Sequence, residues 1–175
     1  MTDHREPRPV PLTDGAEREA ELYGCTLTDS LGQRVLHVPR ERYVEVVRSL
    51  LADGYEMCTD LTAVDYLQAA GRPLPQGIDP ERFEIVLSLR SLSDRAIIRL
   101  RVQVPQDEAV VPTLFDLHPG TEAMEREVFD MFGIEFTDHP DLTRILMPED
   151  WEGNPLRKDY EVGRIPVQFK EAGRA

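Results

Sequence analysis

Cysteine is scarce: the chain holds two, Cys25 and Cys58, and neither stands beside another metal-ligating residue at a recognisable spacing. Two thiols fall short of the four ligands an iron–sulfur cluster takes. Both lie in apolar or β-like stretches, so they read as reduced core thiols rather than as a disulfide or a metal site. Basic charge is also short, with 20 Lys and Arg against 33 Asp and Glu and a formal net charge of -13. Such a chain repels polyphosphate and gains nothing from counterion release, and no basic patch is evident along it, so nucleic acid is not an expected partner. No uninterrupted apolar run approaches the roughly 20 residues that span a bilayer. The opening "MTDHREPRPVPLTDG" lacks the apolar centre of an export signal, and a soluble chain is the expectation. There is no phosphate-cradling G-x-G-x-x-G or G-K-[ST] loop, no supported Ser or Cys nucleophile, and no internal repeat.

What is present suits one domain. The 175 residues exceed the commonest domain size of roughly 100–150, and 14 prolines with 30% charged residues point to a folded body with irregular ends. Residues 1–12 read as a mobile arm. "TDGAEREAELYG" predicts a short helix, capped by Thr13 or Asp14 and stopped by Gly24. "CTLTDSLGQRVLHV" predicts a hairpin turning at Ser30 to Gln33. "PRERYVEVVRSLLADG" places Tyr43, Val46, Val47, Leu50 and Leu51 at helical spacing between Pro39 and Gly54. "YEMCTDLTAVDY" follows as a strand, giving a β-α-β unit, and a proline- and glycine-punctuated loop comes next. In "RFEIVLSLRSL" and "AIIRLRVQVP" the apolar residues alternate with polar or smaller ones, the mark of a half-buried antiparallel hairpin. The expected fold is α+β: a two-layer mixed sheet with helices packed on one face, spanning 13–136, plus an extended irregular C-terminal tail over 137–175.

"PTLFDLHPG" predicts a short helix ended by Pro119 and Gly120, and "TEAMEREVFDMFG" a second, capped by Thr121 and stopped by Gly133. At ~100° per residue, Met124, Val128, Phe129, Met131 and Phe132 form one apolar arc. Glu125 falls inside it, and a buried carboxylate needs a partner or stays protonated. Arg126, Glu127 and Asp130 fall on the polar side. A metal site on His118, Glu122, Glu125 and Glu127 matches no ligand spacing, and Glu125 and Glu127, two apart on a helix, point away from each other. His118 and His139 each precede proline, which reads as turn structure.

After Phe136 the pattern turns from periodic to punctuated. Leu142, Ile145, Leu146 and Trp151 stand among prolines and mixed charge. Two readings are open: a tail that lies along another protein, or a coil wrapped on its own domain.

The block "EREVFDMFGIEFTDHPDLTRILMPEDWEGNPLRKDY" resembles the signature of the C-subunit family of proton-translocating NADH:quinone oxidoreductase, respiratory complex I. The resemblance rests on Glu125, Arg126, Glu127, Asp130, Met131, Phe132, His139, Arg144, Ile145 and Leu146. "DLTAVDY", "RFEIVLSLRSL", "LRVQVP" and "FDLHPG" extend it over nearly all the chain after the arm. One departure is that family members often carry tryptophans before the block, where this chain has His118 and Met124.

The resemblance implies a structural and assembly subunit of the peripheral arm, on the cytoplasmic side of the cell membrane, with no catalytic site and no cofactor of its own. FMN, iron–sulfur clusters and quinone would belong to partner subunits. The large quinone-site subunit, lettered D in bacteria, and adjacent iron–sulfur subunits would be the partners, and the membrane would be met only through the complex. Residues 137–175 are expected to be an extended partner-binding segment, and the residues expected to bind partners or hold structure are Glu125, Arg126, Glu127, Asp130, His139, Arg144, Trp151, Arg157, Lys158, Asp159 and Tyr160. Glu125 is expected to be pinned by an arginine such as Arg144. A homologous subunit of a ferredoxin- or F420-linked dehydrogenase or membrane-bound hydrogenase is the alternative within the family. A free-standing metal or acid–base hydrolase using His118, Glu125 and Glu127, and a soluble adaptor unrelated to respiration, are alternatives of other classes.

Overall fold

A computed structural model of the chain describes residues 20–161. Strands β1 (Ala20–Leu22), β2 (Cys25–Ser30) and β3 (Gln33–His37) open the fold, followed by helix α1 (Tyr43–Ala52) and strand β4 (Met57–Asp65). The long hairpin β5 (Phe83–Ser91) and β6 (Ala96–Val104) comes next, then β7 (Val110–Pro112), helix α2 (Glu122–Phe132) and β8 (Glu135–Thr137). One mixed sheet of six strands runs in the order β1-β2-β3-β6-β5-β4, with β3 and β6 its parallel pair.

The β5–β6 hairpin is the centre of the core because its alternation is strict. Phe83, Ile85, Leu87 and Leu89 of β5 and Ile98, Leu100, Val102 and Val104 of β6 are all fully buried. Tyr43, Val46, Val47 and Leu50 of α1, together with Val128, Met131 and Phe132 of α2, join the same cluster. At ~25 cal/mol per Å² of apolar surface, each such side chain contributes about 1.5–3 kcal/mol. The two-layer α+β architecture expected from the pattern is the one observed.

Three local expectations are corrected. Ala20–Leu22, expected to end a helix, form strand β1, paired antiparallel with β2; residues 13–19 of that expected helix lie outside the described ones. Gly24, read as a helix stop, is the second residue of a two-residue turn in which Tyr23 and Gly24 both have positive φ, 53° and 67°. That geometry twists with the flanking strands, so the segment closes as a hairpin. The Leu31–Gly32 turn repeats the device one hairpin later, where the sequence placed it. Next, β3-α1-β4 is split: β6 and β5 lie between β3 and β4 in the sheet. Finally, the segment before Pro119 makes a single turn, closed by the amides of Leu117 and His118 on the Leu114 carbonyl, and a 3-10 turn over Pro119–Thr121 replaces the expected helix. Parallel pairing of β7 with β8 holds this stretch extended beforehand and was not foreseen.

Candidate functional site: a strap fastened to two buried carboxylates

Helix α2 begins where Thr121 ends the 3-10 turn and stops at Gly133, whose left-handed conformation (φ 68°, ψ 33°) no β-branched residue adopts cheaply. An α-helix leaves its last four carbonyls without partners of its own. Here the following chain supplies them. Asn154 donates Nδ2 to the Asp130 carbonyl at 3.1 Å and to that of Phe129 at 3.4 Å. The Leu156 amide reaches the Met131 carbonyl at 3.1 Å, and Arg157 Nε reaches that of Phe132 at 2.5 Å. A cation at this end also complements the helix dipole.

Asp130 is the centre of the fastening. Its carboxylate is fully buried and accepts Arg144 Nη1 at 2.5 Å on Oδ1 and the amides of Ile145, Leu146 and Met147 at 3.1, 2.8 and 2.8 Å on Oδ2. Burial alone would raise its pKa, but the Met147 amide, Arg144 and the other two amides outweigh it and hold the group below its ordinary value. Asp130 is therefore corrected from the solvated face to the interior: residues 138–161 cover its part of the polar side of α2, while Glu127 stays exposed. Arg126 joins in, donating to the Thr143 and Arg144 carbonyls at 3.1 Å each and to Glu122 Oε1 at 3.1 Å.

A second anchor sits at the end of β4. The Asp65 carboxylate accepts Arg82 Nε and Nη2 at 3.1 and 2.9 Å, the Leu67 amide at 2.9 Å and the Lys158 amide at 2.8 Å. Arg82 also donates to Asp159 at 2.6 Å, so one guanidinium bridges the sheet to the strap. Burial pushes the Asp65 pKa up, yet the Arg82 hydrogen bonds and the two amides bring it below the ordinary value. Arg82 and Arg157 both lie over the Phe83 ring, at 4.8 and 5.2 Å from its centre.

Glu125 is the third carboxylate, fully buried as its place in the apolar arc implied. The expected arginine is corrected: Arg144 belongs to Asp130, which lies five residues on and about 140° around the helix at ~100° per residue. Glu125 instead accepts Thr113 Oγ1 at 2.5 Å, the Leu114 amide at 2.8 Å and Thr121 Oγ1 at 3.0 Å. His139 Nε2 stands 4.0 Å away and bonds the Glu122 carbonyl at 3.2 Å, while its Nδ1 accepts the Asp141 amide. Burial is the largest influence on the Glu125 pKa and raises it, against the pull of these donors.

Among the sequence-predicted residues, then, Arg126, Asp130, His139, Arg144, Arg157, Lys158 and Asp159 meet in the strap's fastening. Tyr160 packs over Gly153, where an added Cβ would lie 2.8 Å from its ring. Trp151 is half-buried, and Glu127 points to solvent. Sequence reasoning missed Asp65, Arg82, Thr113, Thr121 and Asn154. Thr121 was seen only as a helix cap, yet its hydroxyl serves Glu125 and makes no capping bond. Among the described residues no group of three or more His, Cys, Asp and Glu side chains is gathered for a metal ion. The pKa of Cys58 is pushed up to about 11 by burial, which leaves it a poor thiolate.

Fold and site define a class: a small two-layer α+β domain closed by its own C-terminal segment. The chain belongs to the family described as respiratory-chain NADH dehydrogenase, 30 Kd subunit, whose pattern matches residues 36–165. The NADH-quinone oxidoreductase C subunit of Streptomyces coelicolor is 42% identical over 144 residues, 81% of this chain and 54% of that protein. NADH-quinone oxidoreductase subunit 5 of Thermus thermophilus is 42% identical over 159 residues, 87% of this chain and 74% of the other. The chain thus spans little more than half the length of the relatives from Streptomyces coelicolor and Salinispora arenicola. Among solved structures, a trypsin-resistant fragment (1-134) of Nqo5 superposes with TM-score 0.58 at 38% identity, over 65% of this chain and 86% of the fragment. A chain of an archaeal membrane-bound sulfane sulfur reductase shares the fold, with TM-score 0.63 at 20% identity over 82% of this chain and 85% of that one.

Proposed function

We propose that the chain is a structural and assembly subunit in the peripheral arm of an NADH:quinone oxidoreductase, carrying no catalytic site and no cofactor of its own. The observation that carries this reading is the use made of the signature block. Its buried carboxylate, Asp130, has its oxygens turned to donors of the same chain, and Glu125 accepts three internal bonds. Groups spent in this way build a rigid surface and are not poised to exchange protons with a substrate. FMN, iron–sulfur clusters and quinone are then held by neighbouring subunits, with the large quinone-site subunit and adjacent iron–sulfur subunits as direct partners on the cytoplasmic side of the membrane. No helix among the described residues is long and apolar enough to cross a bilayer, which fits attachment through the complex. The names of the relatives favour this reading over a ferredoxin- or F420-linked dehydrogenase or a membrane-bound hydrogenase, and family membership disfavours a free-standing hydrolase.

The test is native purification of the tagged full chain from its own membranes. Subunits that hold flavin, clusters and the quinone site should co-purify, NADH:quinone activity should be lost when the chain is deleted, and the chain produced alone should show neither flavin absorbance nor stoichiometric metal. Stoichiometric flavin or metal on the isolated chain, or purification without any redox subunit, would overturn the proposal.

A further inference from the structure

The sheet has a second face, turned away from the apolar core, and its charge is the reverse of the chain's. On β5 and β6 this face carries Glu84, Arg90, Arg99 and Arg101. Glu84 neutralises its own end, with Arg101 Nε at 3.0 Å. At the other end the side chains of Arg90 and Arg99 have no ion pair or hydrogen bond among the described residues. The register sets Ser88 opposite Arg99 and Arg90 opposite Ile97, so the two arginines are diagonal neighbours, roughly 7–8 Å apart. Two like charges within reach of one another repel unless a counter-charge lies between them, and this chain, with a net charge of -13, has carboxylates to spare. The one acid close by on this face is Asp60, opposite Ser88, and it forms no ion pair among the described residues.

Apolar surface flanks the pair. Met57 is opposite Arg90 on one side and Ile97 on the other, and both are about half exposed, at 46% and 47%. Methionine and arginine are enriched in protein interfaces, where a charged pair sets register and apolar neighbours supply the buried area. We propose that this end of the open sheet face docks an acidic surface of a neighbouring subunit, whose carboxylates meet Arg90 and Arg99 while an apolar side chain seats between Met57 and Ile97. The inference rests on the reading above, that the chain is one part of a larger assembly. Two copies, each with a net charge of -13, repel one another at long range, which disfavours a second copy as the occupant.

The experiment uses the tagged chain in its native complex. The double variant Arg90→Glu/Arg99→Glu should lower retention of the neighbouring subunits at least tenfold at physiological salt, while the isolated variant melts like the wild type. Arg48→Glu, an exposed arginine on α1, should leave retention unchanged. Independently of any folding defect, a photo-crosslinking residue at position 99 should capture an acidic segment of another subunit of the complex. Retention of the double variant at wild-type level overturns this inference alone, as do crosslinks that fall on residues 1–19, on a second copy or nowhere. A wild-type chain that brings down no redox subunit overturns both this inference and the reading beneath it.

Discussion

Arg144 and Asp130 form a buried pair across 14 residues, at 2.5 Å, and the next three amides after Arg144 close on the same carboxylate. Asp130→Ala leaves Arg144 without its counter-charge and three amides without an acceptor. The expected loss is about 3–5 kcal/mol, the range for breaking a buried pair from one side. Urea denaturation checks the size. Limited trypsin digestion checks the cause, since cleavage after Arg144 should become much faster than in the wild type.

The pH profile should bend in two directions. Asp130 and Asp65 have folded pKa values below the ordinary 3.8, so their contribution is full above 3.8 and is lost as pH falls through the lowered values. Glu125 has a folded pKa above the ordinary 4.5, so between 4.5 and its raised value the folded chain holds the extra proton and stability falls as pH rises. The Glu125 contribution should therefore rise on acidification through its raised value toward 4.5, opposed by buried His118, whose folded pKa lies below the ordinary 6.5, and the aspartate contributions should be lost below 3.8. In Glu125→Gln that rise should be lost while the acid limb stays. Equal slopes for wild type and Glu125→Gln above pH 4.5 would contradict the raised Glu125.

Gly133→Ala should destabilise by about 1–2 kcal/mol from its left-handed backbone alone. A further loss is expected because the added Cβ would lie 2.6 Å from Arg157 Nη2 and 2.7 Å from Asn154 Oδ1. Thermal melts of Gly133→Ala, Asn154→Gly and the double variant isolate the steric part, the double variant losing less than the sum of the two singles because Asn154→Gly removes both one clash and the caps on the Phe129 and Asp130 carbonyls.

Much of the fold was legible because it is written locally. The alternation of β5 and β6 needs only a period of two, and α1 lies between Pro39 and Gly54 with its apolar stripe intact. Gly24 misled because a positive-φ glycine ends helices and closes hairpins alike, and only pairing with β2 decides. Asp130 misled because the helical arc treats its polar side as solvent, whereas residues 138–161 cover it. Arg82 and Asp159 stand 77 positions apart, and nothing near either residue announces the other.

Truncation after Asp138 should leave a body that still unfolds cooperatively but at lower temperature, because the α2 carbonyls and the carboxylates of Asp65 and Asp130 lose their strap partners. Scanning calorimetry of the full and shortened chains measures the gap. Equal midpoints would mean that the strap adds nothing to the body.

The Asp65 anchor also imposes an order on biosynthesis. Its partner Lys158 follows 93 positions later, and at about 5–20 residues per second the ribosome takes roughly five to twenty seconds to make that stretch. Through that interval the end of β4 holds a carboxylate with Arg82 but without the strap, and α2 emerges with its last carbonyls bare. The nascent chain can assemble its sheet while still tethered, but it can shut only once residues 144–159 have left the exit tunnel. For those seconds the uncovered carboxylates and carbonyls are open to water and to chaperones, so closure of the latch dates the end of the chain's most vulnerable period.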